Sequence, residues 1–139
     1  MATIELKTTN GELVDLMNGL FAAQDVKGKE FALTVSKNIS ALQEHLKGVE
    51  EAGRPSEEFV KFAREIKEAT DANDSNAVKE MESRNASLIA ERKEQIEKLQ
   101  EMLKEDSKPI TLNAIPNDVI PNDVTARQIN NLEKIIVWQ

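Results

Sequence analysis

From Ser75 to Glu105 the chain runs without a proline or a glycine. If helical, that stretch makes about eight turns. Its apolar positions are Val78, Met81, Ala86, Ile89, Ile96, Leu99 and Leu103. Their spacings fit a helix repeat and cannot keep one side of a strand dry. One long amphipathic helix is therefore expected, with the remaining elements docked on it. Lys93 with Glu97 and Glu94 with Lys98 place opposite charges four residues apart, which marks a solvated outer face.

The rest of the chain reads as shorter elements. Thr3-Ile4-Glu5-Leu6-Lys7 alternates, as a short edge strand does. Thr9-Asn10-Gly11-Glu12 is a capping box, in which the Thr9 hydroxyl accepts from a free backbone N–H and Glu12 reaches back. Leu13, Leu16, Met17, Leu20 and Phe21 mark one face of the helix that follows, and Gly19 opens it to close packing. A second helix is expected from Lys29 to Ala52. Its seam is Phe31, Val35, Ile39, Leu42, Leu46 and Val49, and Gly53 and Pro55 stop it. Ser56 caps a third helix, with Phe59, Phe62, Ala63, Ile66 and Ala69 inward. Residues 71–76 form a turn.

Beyond Lys108 the pattern changes. Ile110-Thr111-Leu112 is a second short strand, suited to pair with Ile4–Leu6. Ile115-Pro116-Asn117-Asp118-Val119 is repeated at once as Ile120-Pro121-Asn122-Asp123-Val124. Each copy suits a turn, because proline fixes φ and Asn and Asp follow it. Thr125-Ala126-Arg127-Gln128 is a further capping box, opening a terminal helix with Ile129, Leu132, Ile135 and Ile136 inward. The expected fold is mainly α: an antiparallel helical bundle or long helical hairpin, with a two-stranded β element joining the N- and C-terminal segments. It is read as one domain over 1–139, with a strand-like 1–8, four helices over 9–105, and a turn-rich segment plus terminal helix over 109–139.

Composition narrows the chemistry. With no cysteine, disulfides, thiol catalysis and thiolate zinc sites are excluded. The net charge of −7 is spread along the chain without a basic pole, which disfavours phosphate-driven nucleic-acid binding. No apolar window approaches the ~20 residues that cross a bilayer, and no signal peptide is visible, so no membrane partner is expected. Asn38-Ile39-Ser40 and Asn85-Ala86-Ser87 match the glycosylation triplet, but both fall in expected helices.

Candidate sites are few. Residues 71–82 can be laid on a twelve-residue calcium loop, with Asp71, Asn73, Ser75 and Glu82 as metal ligands. Asn76 stands where that loop wants glycine and Lys79 stands at its ninth position, so a plain helix-to-helix turn accounts for the same residues. His45 is the sole histidine, flanked by seam positions. No nucleophile–base pair can be specified, so no catalytic residue is assigned and no enzyme or cofactor is expected. Lys27 and Lys29 frame an anion-binding helix entry or a solvated turn. Ile135, Ile136, Val137 and Trp138, together with Leu99 and Leu103, are the candidate partner-binding residues. The alternative for the 135–138 group is that it closes the small sheet and the core.

Ile4-Glu5-Leu6 through Glu12-Leu13-Val14, the Lys27-Gly28-Lys29 entry, and Leu132-Glu133-Lys134-Ile135-Ile136 resemble a family of small bacteriophage proteins of unknown function. That resemblance implies a viral accessory protein acting in the bacterial cytoplasm or on the particle, and it supplies no catalytic residues. The expected function is a non-enzymatic protein–protein interaction module that inhibits a host defence protein or host enzyme, or binds its own copies. Two other classes fit the same helices. One is a structural or assembly component of the particle, and the other is a small-ligand or calcium binder.

Overall fold

A computed structural model describes residues 2–139. The chain is mainly helical with two small sheets. In order, the elements are β1 (Thr3–Leu6), α1 (Asn10–Ala22), α2 (Lys29–His45), α3 (Lys47–Gly53), α4 (Glu57–Asp71), α5 (Ser75–Arg84) and α6 (Ala86–Lys104). Then follow β2 (Ile110–Asn113), β3 (Ile115–Pro116), α7 (Ala126–Leu132) and β4 (Ile136–Val137). The chain divides into two compact units. One is the chain up to Val49 together with Met102–Gln139; the other is Glu50–Glu101.

The first unit holds the main hydrophobic core, and α2 is its centre. Phe31, Val35, Ile39, Leu42 and Leu46 of the expected seam are buried, and Val49 is half-buried. Leu13, Leu16 and Leu20 of α1 join them, with Met17 and Phe21 packed at the margin. Ile110, Leu112, Ile115, Leu132, Ile135 and Ile136 complete the cluster. β1 and β2 pair antiparallel, with Ile4 opposite Leu112 and Leu6 opposite Ile110, which is the pairing that the sequence suggested.

Four expectations need correction. The 75–105 stretch is two helices, because Asn85 ends α5. Its side-chain Nδ2 donates to the Met81 carbonyl at 2.8 Å, and its own N–H donates to the same oxygen. The side-chain bond shares the Met81 carbonyl with the ladder bond from the Asn85 N–H, and the Asn85 backbone (φ −112°, ψ 25°) leaves helical geometry. Nor is that stretch the centre of the fold, since neither α5 nor α6 buries a single residue. The helix expected to reach Ala52 stops at His45. Leu46 leaves helical geometry (φ −95°, ψ 12°), and α3 starts afresh at Lys47, one residue before the helix-weakening Gly48. Ala63, placed inward from its spacing, is exposed.

The repeated Ile-Pro-Asn-Asp-Val segments also diverge from one another. In the first, Ile115-Pro116 is a strand paired in parallel with Ile136-Val137, and a 3₁₀ turn covers Asn117–Val119. The second is a turn leading to α7. The terminal helix is correspondingly short. It tightens into a 3₁₀ turn at Glu133–Ile135 before β4.

The caps follow the sequence closely. Thr125 and Gln128 form the full reciprocal box on α7. Ser56 accepts from the Phe59 N–H on α4. The Thr9 hydroxyl caps α1, but Glu12 does not reach back, because its carboxylate takes the ammonium of Lys134 at 3.2 Å.

In the second unit only Phe62 and Ala69 are buried. Its helices are tied by polar contacts as much as by packing. Arg92 Nη1 donates to the Gly53 carbonyl and to Gln95 Oε1. Gln95 Nε2 donates to the carbonyls of Ala52 and Arg54. These bonds satisfy carbonyls that the C-terminal end of α3 leaves free. The Arg92 guanidinium also lies 5.7 Å from the centre of the Phe59 ring, and Phe59 itself tilts against Phe62.

Candidate protein-binding surfaces

The 135–138 group splits in two. Ile135 is fully buried and Ile136 is 7% exposed, so both belong to the core and not to a contact patch. Val137 and Trp138 face outward at 39% and 61% exposure. The segment that carries them is held in place. β4 pairs with β3, and the Gln139 N–H donates to Asn117 Oδ1 at 2.9 Å. Trp138 is thus a large apolar side chain held by ordered backbone on both sides.

Leu99 and Leu103 are half-buried and already have neighbours. Leu99 lies over Gly53, so close that a Cβ there would sit 2.9 Å from Leu99 Cδ2. The Leu103 carbonyl crosses Gly11 at a similarly short approach. Exposed apolar surface on the second unit lies elsewhere, at Val60 of α4 and Ile96 of α6. Beside the α5–α6 break, an open groove of about 460 Å³ is lined by Lys61, Phe62, Glu65, Arg84, Asn85 and Leu88 among others. The break at Asn85 shapes its wall. Sequence spacing did not single out this groove, because the apolar rhythm runs straight across Asn85.

The 71–82 loop is a helix-to-helix turn. Asp74 is its working residue, since Oδ1 caps α5 by accepting from the Ala77 N–H at 3.1 Å. Asn73 adopts a left-handed backbone (φ 56°), which asparagine tolerates. Asn73, Ser75 and Glu82 line one shallow cleft, shared with Thr70, Val78 and Lys79. Asp71 is outside that lining, at the end of α4. Among the described residues no group of three or more His, Cys, Asp or Glu side chains converges as a metal site. Lys27 and Lys29 are exposed beside Gly28, whose φ of 141° makes the sharp entry to α2.

His45 has a partner that the sequence did not reveal. Its Nε2 lies 2.7 Å from the Ser107 hydroxyl, and that hydroxyl donates to the Lys108 carbonyl at 2.8 Å. This contact ties the end of α2 to the segment that leads into β2.

The most informative polar residue is Asn38. It is fully buried on α2, whose other buried residues include Val35, Ile39 and Leu42. Its Nδ2 donates to the Asn113 carbonyl at 2.9 Å, and its Oδ1 accepts from the Asn113 N–H at 2.8 Å. The side-chain amide thus replaces a neighbouring strand at the end of β2. Burial also removes this asparagine from any glycosylating enzyme. A polar residue two turns into a clean apolar seam was the available signal.

Comparison with known proteins gave no match among protein-family models, curated proteins or solved structures. No helix among the described residues is long and apolar enough to cross a membrane.

Proposed function

We propose that this chain is a non-enzymatic protein-binding module, and that the helices of Glu50–Glu101 carry the contact. One observation carries the reading: this unit buries only Phe62 and Ala69, while Val60 and Ile96 stay exposed. Amphipathic helices draw most of their stability from covering an apolar face, and here the faces are only partly covered. A protein partner completes them. Phe62 and Leu88 line the open groove, and apolar side chains so placed are the usual anchors of such contacts. Trp138, outside this unit, offers a further anchor of the same kind.

The resemblance to small phage proteins makes a bacterial host protein the partner to test first. Tagged protein is passed through bacterial lysate and the captured species are weighed against the bait. One host protein recovered at stoichiometry, and lost when Val60→Asp and Ile96→Asp are introduced together, supports the proposal. Stoichiometric capture that the double variant leaves unchanged overturns the assignment to these helices. Recovery of nothing at stoichiometry overturns the reading itself.

A further inference from the structure

The β1–β2 pair has two unlike edges, and the difference goes beyond the reading above. The Ala114 N–H donates to the Ala2 carbonyl at 2.9 Å, which sets the phase of the ladder. Antiparallel pairs alternate between bonded and non-bonded. Ile4 and Leu6 therefore exchange bonds with Leu112 and Ile110, while the N–H and C=O groups of Thr3 and Glu5 point away from β2. By the same alternation Thr111 and Asn113 point away from β1.

The β2 edge is blocked at its two ends by the sequence, with the outward groups of exposed Thr111 between them. Both outward groups of Asn113 are taken by Asn38. Pro109, just ahead of the strand, has no N–H to offer. The β1 edge has no such cover. Thr3, Glu5 and Lys7 are exposed, and β2 is the element against which β1 packs. A strand edge left in this state is a template for another strand.

We infer that β1 pairs with β1 of a second copy of this chain, antiparallel about a two-fold axis at Leu6. The charges choose the occupant. Glu5 and Lys7 share one face, where their side chains form an exposed ion pair at 3.5 Å. With the axis at Leu6, Glu5 stands opposite Lys7 of the second copy, and Lys7 opposite its Glu5. Moving the axis to Glu5 or to Lys7 sets like charges against each other, which disfavours those registers. On the other face, half-buried Leu6 meets its own copy. An isologous contact of this kind is self-limiting, because pairing consumes the open edge on both chains.

Sedimentation equilibrium over a range of concentrations tests the pairing. The expected result is a monomer–dimer equilibrium that weakens with added salt. Glu5→Pro removes an outward N–H that the β1–β2 ladder does not use, so it abolishes the dimer while the circular dichroism spectrum and melting temperature stay as in the wild type. Glu5→Lys weakens the dimer about tenfold by turning attractive cross-strand pairs repulsive. Adding Lys7→Glu to Glu5→Lys restores it, which keeps the test decisive even if the proline variant fails to fold. A wild-type chain that stays monomeric at every concentration overturns the inference. So does a dimer that survives folded Glu5→Pro, or a charge swap that restores nothing. None of these substitutions touches Val60 or Ile96, so this pairing and partner capture by the second unit can fail separately.

Discussion

Asn38 shows how one side chain sets the terms for a whole core. A fully buried amide is costly unless each of its polar atoms is matched. Here both are matched by a single residue, Asn113, and among the described residues no buried side-chain nitrogen or oxygen lacks a partner. Truncation removes both bonds and leaves the Asn113 N–H and C=O unsatisfied. Asn38→Ala should therefore cost about 2–4 kcal/mol, more than an ordinary hydrogen bond. Urea denaturation checks this. The midpoint should fall with little change in slope, since the surface exposed on unfolding stays nearly the same. Ser40→Ala, at an exposed position of the same helix, should stay within about 0.5 kcal/mol of wild type. If the two variants melt alike, the amide bridge contributes nothing.

Glycines decide how closely the elements approach. Gly19 is buried on α1, and a Cβ there would lie 2.8 Å from Asn131 Cβ and 3.3 Å from the Asn131 carbonyl oxygen, both on α7. Neither atom is the flexible end of a side chain, so α7 itself must move. Alanine gains about 1 kcal/mol in helix propensity, but overpacking costs about 1–3 kcal/mol, so Gly19→Ala should destabilise. Gly48 on α3 has open space where the Cβ would go, and its φ is not positive. Gly48→Ala should stabilise by about 0.5–1 kcal/mol. Opposite shifts in melting temperature are the expected result; shifts of the same sign would mean that propensity alone governs both sites.

The same elements show what the sequence could carry. The α1 and α2 seams and the β1–β2 pairing were legible, because burial repeats at the period of the element. So was the close approach at Gly19. The breaks at Leu46 and Asn85 were not, because the apolar rhythm continues through each while one residue's local geometry ends the helix. The parallel β3–β4 contact joins two residues to two others some twenty positions away, and no local pattern encodes that. Of the candidate contact residues, the spacing that proposed Ile135 and Ile136 as inward-facing was right about the core. Within the 135–138 segment Val137 and Trp138 are the residues left exposed.

Across the whole molecule, burial is unevenly distributed between the two units, and local stability should follow it. Every residue of the main core cluster belongs to the first unit. The second holds its helices with Phe62, Ala69, a cation–π contact and the carbonyl caps supplied by Arg92 and Gln95. Surface ion pairs such as Glu94–Lys98, with both side chains about two-thirds exposed or more, add little. Regions with few buried apolar contacts open at lower free energy than the core. Native-state hydrogen exchange should therefore show amides of α4 and α5 exchanging through openings that expose little surface, with a shallow dependence on denaturant. Amides at Leu16, Val35 and Leu42 should exchange only on global unfolding, with the full denaturant slope. Equal protection and equal slopes across both units would show the chain unfolding as one cooperative body. A partner that covers Val60 and Ile96 should raise protection in α4 through α6 and leave the α1 and α2 amides unchanged, because those already report the global transition.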